Sequence, residues 1–210
     1  MTSMLLAAQV WVIVTNLFLV LPVVVLCRKN LIHVHMLEAA WFTILAFVST
    51  MHHICDPATD LVWSCQDNRA NIAFAELLFA YGASICVVMP FVHQRHVHVG
   101  ARIRLVLFPL MFFMLLVDPA DGMMTFAVLL AVLVPLFGWA IPTESIRTDM
   151  LFVACVCGTA GFTMYGLAHY LQRRGIIDAA TSLWIHGAWH IPIAVAMSLV
   201  LSLLRSGDES

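Results

Sequence analysis

Charge is what this sequence has least of. Lys, Arg, Asp and Glu together make up 10% of its 210 residues, and the basic ones form no stripe or run. A soluble domain carries charge at about a quarter of its positions. Binding nucleic acid needs clustered cations, and a formal net charge of −2 with scattered arginines supplies none. Also missing are an internal repeat, a low-complexity tract and any polar interval long enough to hold a soluble domain. The first apolar run has no charged leader and is too long for a signal-peptide core, so it reads as a retained span.

What is present is apolar: 62% hydrophobic residues and a mean hydropathy of +0.97. About 20 such residues in a row cross the bilayer core. That length sets spans near 4–26, 34–54, 71–92, 103–117, 123–141, 150–171 and 182–204. The expectation is an all-α polytopic membrane protein, a single seven-helix domain over residues 1–210. The fourth span is short and holds Pro109, which would bend it; six crossings remain if it turns back.

The loops set the orientation. Arg28, Lys29, Arg95, Arg102, Arg104, Arg147 and Arg205 fall on one side of this arrangement, and Arg69, Arg173 and Arg174 on the other. The positive-inside rule puts the larger group in the cytoplasm and the N-terminus outside.

That orientation brings three histidines to the outer face. His53 closes the second span, while His186 and His190 open the seventh. The latter two are four residues apart and project from one side of a helix; Ser49 stands in the same relation to His53. Polar rings inside a lipid-facing chain are costly unless satisfied, so the group reads as a metal site, with zinc the first candidate. A single interfacial histidine would more simply cap a helix end, and that is the competing account. His52 is the rival to His53 but lacks the four-residue relation to Ser49. His169 reads as a lipid contact or as support for the site. His33, His35, His93, His96 and His98 read as polar ends meeting headgroups on the inner side.

Chemistry at a zinc ion needs an acid–base group and an oxyanion donor. Ser49 is the hydroxyl candidate. Of the outer-side acids Asp56, Asp60, Asp67, Glu76, Asp118, Asp121 and Asp178, only Glu76 lies well inside a span, where pairing with a neighbouring helix competes with catalysis. Cys55 and Cys65 bracket a short loop holding Pro57 on the oxidising side; a disulfide is expected there, two free interfacial thiols being the alternative. Cys86, Cys155 and Cys157 read as small packing groups, and Cys27 as either packing or acylated. Small residues Ala80, Gly82 and Ala83 would admit either a homodimer contact or packing within the bundle.

Ser49-x-x-x-His53 and His186-Gly187-Ala188-Trp189-His190 resemble the paired motifs of the CREST superfamily of seven-helix membrane proteins. His53-Ile54-Cys55-Asp56 with Cys65, and Tyr81-Gly82 after Glu76, are similar to its transmembrane-protein-eight branch. The resemblance implies zinc on His53, His186 and His190 with membrane lipids close by. It further implies a multi-pass protein of the plasma membrane or Golgi that promotes cell–cell fusion with a small fusogen partner protein. Relatives with ceramidase- or phospholipase-like hydrolase activity carry an acidic residue in the third helix; aligned here, that position is Phe79, one turn after Glu76. The cysteine-rich tail of the branch's fusion protein has no counterpart in the closing Arg205-Ser206-Gly207-Asp208-Glu209-Ser210, so tail palmitoylation does not carry over.

Overall fold

Proline makes the first break in the chain. In the computed structural model, which describes residues 3–55, 69–117, 123–141 and 147–204, helix α1 (Ser3–Asn16) passes through a 3-10 turn (Leu17–Val20) into α2 (Leu21–Arg28). Pro22 has no N–H to give the carbonyl four residues back, and its ring crowds that carbonyl, so the chain tightens there. The composite Met4–Arg28 is still one apolar stretch long enough to cross a membrane. It ends because Asn30 adopts a left-handed conformation (φ 54°). Leu31 N–H then bonds Leu26 O and Asn30 N–H bonds Cys27 O, which closes the helix end.

The remaining helices are α3 (Met36–Ile54), α4 (Arg69–Arg95), α5 (Val97–Val117), α6 (Met123–Ala140), α7 (Thr148–Arg173) and α8 (Ala179–Ser202). No strand occurs among the described residues. With Met4–Arg28, the segments Ala70–Arg95, Val97–Val117, Thr148–Arg173 and Ala179–Ser202 have the length and apolarity of membrane spans. The protein is thus an all-helical, multi-pass membrane protein. Helix α3 is 19 residues long but carries Glu38, His52 and His53, which lower its apolarity. Pro109 lies inside α5 without ending it, so the fourth segment is a full 21-residue helix starting six residues earlier than apolarity alone suggested.

Neighbouring contacts fix the direction of each helix. Asn16 meets Ser49 while Gln9 meets His53, so α3 runs against α1. His52 meets Glu76 while His35 faces His93, so α4 runs against α3. Phe74 packs on Phe112 while His93 lies under Gly100, so α5 runs against α4. Phe91 packs on Phe137 and Arg95 on Trp139, so α6 runs along α4. Gly161 meets Ile193 and Tyr165 meets Trp189, so α7 runs against α8. Trp11 meets Trp184 and Thr15 meets His190, so α8 runs along α1. Directions therefore alternate through seven segments in chain order.

Helix α4 touches α3, α5, α6 and α8, while α8 touches α7, α1 and α2. The buried core runs between them through Phe42, Ile85, Met89, Phe91, Met111, Leu115 and Leu201. Phe47, Leu105, Phe113 and Phe152 point outward, as a lipid-facing surface requires. Of the small residues considered for a dimer contact, Ala83 is buried and Gly82 lies under Trp41, where an added Cβ would sit 2.2 Å from its ring. That face is consumed by α3, as the indole donates to Phe79 O at 2.9 Å.

A second polar group sits at the opposite end of α3. Glu38 is buried and ion-paired with Arg104 of α5, and His35 Nδ1 lies 3.8 Å from the same carboxylate. His35 is fully buried, with its ring edge-on to His93, so it is not the headgroup contact expected from its position in sequence. His96, by contrast, is exposed and stacks on Trp139 at the same end, where a headgroup could still reach it.

Candidate metal centre

Helix α3 brings His53 to its C-terminal turn, and α8 presents His186 and His190 from its first half, one turn apart. Asp178 starts α8 by accepting the Thr181 N–H at 2.7 Å, and that bond holds its carboxyl below the usual aspartate range. Gly175, left-handed at φ 67°, ends α7 and permits the turn between the two helices.

The three imidazoles meet. One nitrogen from each of His53, His186 and His190 lies within 4.8 Å of the others. Ring centroids are 4.8 Å (His53–His186), 5.3 Å (His186–His190) and 5.7 Å (His53–His190) apart, all edge-on or tilted. His53 and His190 are buried, and His186 is half-buried beside Tyr165 and Trp189 of the α7–α8 seam. His190 Nε2 has no hydrogen-bond partner, and neither ring nitrogen of His53 makes a hydrogen bond. Buried lone pairs of this kind are expensive without a ligand. Neutral imidazoles converging on one point are a donor set for zinc, copper, nickel or iron, so the residues present fit a metal ion.

Glu76 completes the site. Its Oε1 accepts the Ser49 hydroxyl at 2.6 Å and lies 3.7 Å from His53 Nε2, while Oε2 lies 2.9 Å from His52 Nδ1. His52 thus holds the carboxylate and leaves the cluster to His53. Phe79 instead packs against Trp41 at 4.9 Å, away from the histidines. The acidic group of the site is Glu76 itself, one turn before the position suggested by alignment.

Helix α1 contributes what apolar-run reading passed over. Gln9, Thr15 and Asn16 are its buried polar residues. Gln9 Nε2 donates to His53 O at 2.6 Å, satisfying one of the last carbonyls of α3. Asn16 Oδ1 is 3.0 Å from Ser49 Oγ. A single hydroxyl proton cannot serve both Asn16 and Glu76; turning the Asn16 amide makes Nδ2, otherwise unpaired, the donor to Ser49 and satisfies all three groups. Thr15 Oγ1 lies 3.2 Å from His190 Nδ1. The signal was there: Gln9 and Asn16 are seven residues apart, on one face of an otherwise apolar helix.

Other expectations fall elsewhere. Asp178 is an exposed cap, and His169 stacks on exposed Tyr165 outside the cluster. Asp56, Asp60, Asp67, Asp118, Asp121 and Cys65 lie outside the described residues. Cys55 is buried and disulfide-bonded, whereas Cys27, Cys86, Cys155 and Cys157 are free. No protein-family model, curated protein or solved structure matches the chain.

Proposed function

We propose that this chain is a seven-span membrane protein, N-terminus outside, whose three histidines hold zinc near the outer face and whose Glu76–Ser49 pair makes that centre a lipid hydrolase of ceramidase or phospholipase type. The observation that carries the reading is the Ser49–Glu76 hydrogen bond beside His53. The alternating helix directions and the excess of arginine at one set of ends support the span count and orientation. His53, His186 and His190 would hold the ion, which when bound supplies Lewis acidity and eases loss of a proton from water. Glu76 would accept a proton from water as the water oxygen bonds to an amide or ester carbonyl carbon, and would return it to the departing amine or alcohol as the C–N or C–O bond breaks. Ser49 is placed to donate to the developing oxyanion once Glu76 no longer takes its proton. His52 keeps the carboxylate turned toward the histidines.

A second reading is favoured by the disulfide-bonded Cys55 directly after Ile54, the arrangement that resembles the transmembrane-protein-eight branch. On that reading the chain is, like the myoblast-fusion protein myomaker, a plasma-membrane factor promoting cell–cell fusion with a small fusogen, and its zinc ties α3 to α8 structurally. One set of preparations separates the two. Purified protein is expected to carry zinc that both His53→Ala and His190→Ala lose. Glu76→Gln is expected to abolish turnover of ceramide or phospholipid while retaining most of the metal. Zinc without any lipid turnover in wild type would leave the fusion reading, and folded wild type free of metal would refute both forms of the zinc site.

A further inference from the structure

Thr15 is fully buried in α1, three turns into an apolar helix, and its hydroxyl touches two groups. It lies 2.9 Å from the carbonyl of Val12, which can only accept, and 3.2 Å from Nδ1 of His190. A threonine hydroxyl has one proton and two lone pairs. Val12 O takes the proton, so toward His190 the oxygen offers a lone pair. The imidazole must then supply the hydrogen, and a neutral ring protonated at Nδ1 has its lone pair at Nε2. Nε2 is the buried nitrogen of His190 that has no other partner. We infer that Thr15 is a positioning residue of the centre: it fixes His190 in the Nδ1–H tautomer and thereby presents Nε2 to the metal. This rests on the zinc reading for its purpose, though the tautomer itself does not.

Two features of the fold are built around this contact. The first is the close approach of α1 to α8. Gly187, one turn before His190, leaves room for Trp11 and the Val12 backbone, where a Cβ would meet Trp11 Cδ1 at 2.6 Å and Val12 Cα at 3.1 Å. A side chain at 187 would press on Trp11 and the Val12 backbone and push α1 away from the ring that Thr15 reaches. The second is the break in α1. The regular helix stops at Asn16 and tightens into the 3-10 turn that Pro22 imposes, directly after the two residues that address the site. Thr15 itself bonds back to the carbonyl three residues earlier, a pattern that bends helices locally.

Partners that orient a metal-bound histidine through its second nitrogen typically contribute 10–100-fold in metal affinity. Thr15→Val keeps shape and removes the lone pair; Thr15→Ser keeps the lone pair and removes a methyl. The test is zinc competition against a chelator on full-length protein in micelles, together with nitrogen-15 spectra of histidine-labelled, metal-free protein. The expected result is a zinc dissociation constant raised about 10–100-fold in Thr15→Val and restored in Thr15→Ser. Metal-free wild type should show His190 protonated at Nδ1, a reading that needs no variant. Unchanged affinity in Thr15→Val, equal loss in the Val and Ser variants, or His190 protonated at Nε2 in wild type would each overturn the proposal. Wild type that takes up no zinc but shows the Nδ1–H tautomer would refute the metal reading and leave Thr15's control of the ring standing.

Discussion

Replacing Gly187 by alanine probes the seam between α1 and α8 with a single methyl. The new Cβ would sit 2.6 Å from Trp11 Cδ1, 2.8 Å from its Nε1 and 3.1 Å from Val12 Cα. Trp11 cannot swing away freely, because its indole donates to Trp184 O at 3.2 Å and packs on the Trp184 ring at 5.5 Å. Val12 Cα is backbone and moves only with the helix. Ordinary carbon–carbon contact needs about 3.5–4.0 Å, so α1 must retreat by roughly half an ångström or more. The 3.2 Å contact between Thr15 and His190 then stretches to the limit of a hydrogen bond. Overpacking of this kind costs about 1–3 kcal/mol, against a gain of up to about 1 kcal/mol from replacing a helical glycine. The control is Gly166→Ala on α7, where an added Cβ meets nothing within 4 Å and only the helix-propensity gain applies. Denaturant unfolding of metal-free protein in micelles should therefore place Gly187→Ala about 1–3 kcal/mol below Gly166→Ala. Equal stability of the two variants would refute the close α1–α8 packing and, with it, the route by which Thr15 reaches the ring.

Two further outcomes follow from charges elsewhere in the bundle. Arg104→Met should destabilise by about 3–5 kcal/mol, because it strands a buried Glu38 without its partner, and adding Glu38→Gln should recover much of the loss in the same unfolding assay; additive effects would show that the two groups do not interact. Asp178 caps α8 in its ionised form with a lowered pKa. Its contribution is complete above the unfolded value and is lost as pH falls through the folded one, so protection of the amides at the start of α8, taken relative to their intrinsic exchange rates, should fall in acid and lose that dependence in Asp178→Asn.

Much of the site was legible because its elements repeat at helical spacing. His186 and His190 sit four residues apart within an apolar run, and counting crossings was enough to bring His53 to the same end. The acid was harder to place. Glu76 stood out as a carboxylate in a span, but whether it met the histidines depended on how α4 is rotated, and only the contact with Ser49 and His52 decides that. His52 was seen as a rival to His53 when the structure gives the two adjacent rings separate tasks. The α1 residues were hidden for a different reason: three polar side chains do not interrupt so apolar a run, and their shared face matters only once α3 and α8 are known to flank it. Glu38 and Arg104 are 66 residues apart in sequence, with no local pattern to link them.

Only His96 separates α4 from α5. Two crossings joined so tightly leave almost no chain to hand across the bilayer between them. During synthesis α4 emerges first, but its return partner follows within a single residue. Arg95, Arg102 and Arg104 lie close to the bend, a charge pattern that disfavours carrying it across a bilayer. A pair joined this tightly is suited to enter lipid as a hairpin, each helix satisfying its own backbone polarity. Since α4 carries Glu76 and touches four other helices, of which only α3 precedes it in the chain, it is the surface on which α5, α6 and α8 gather.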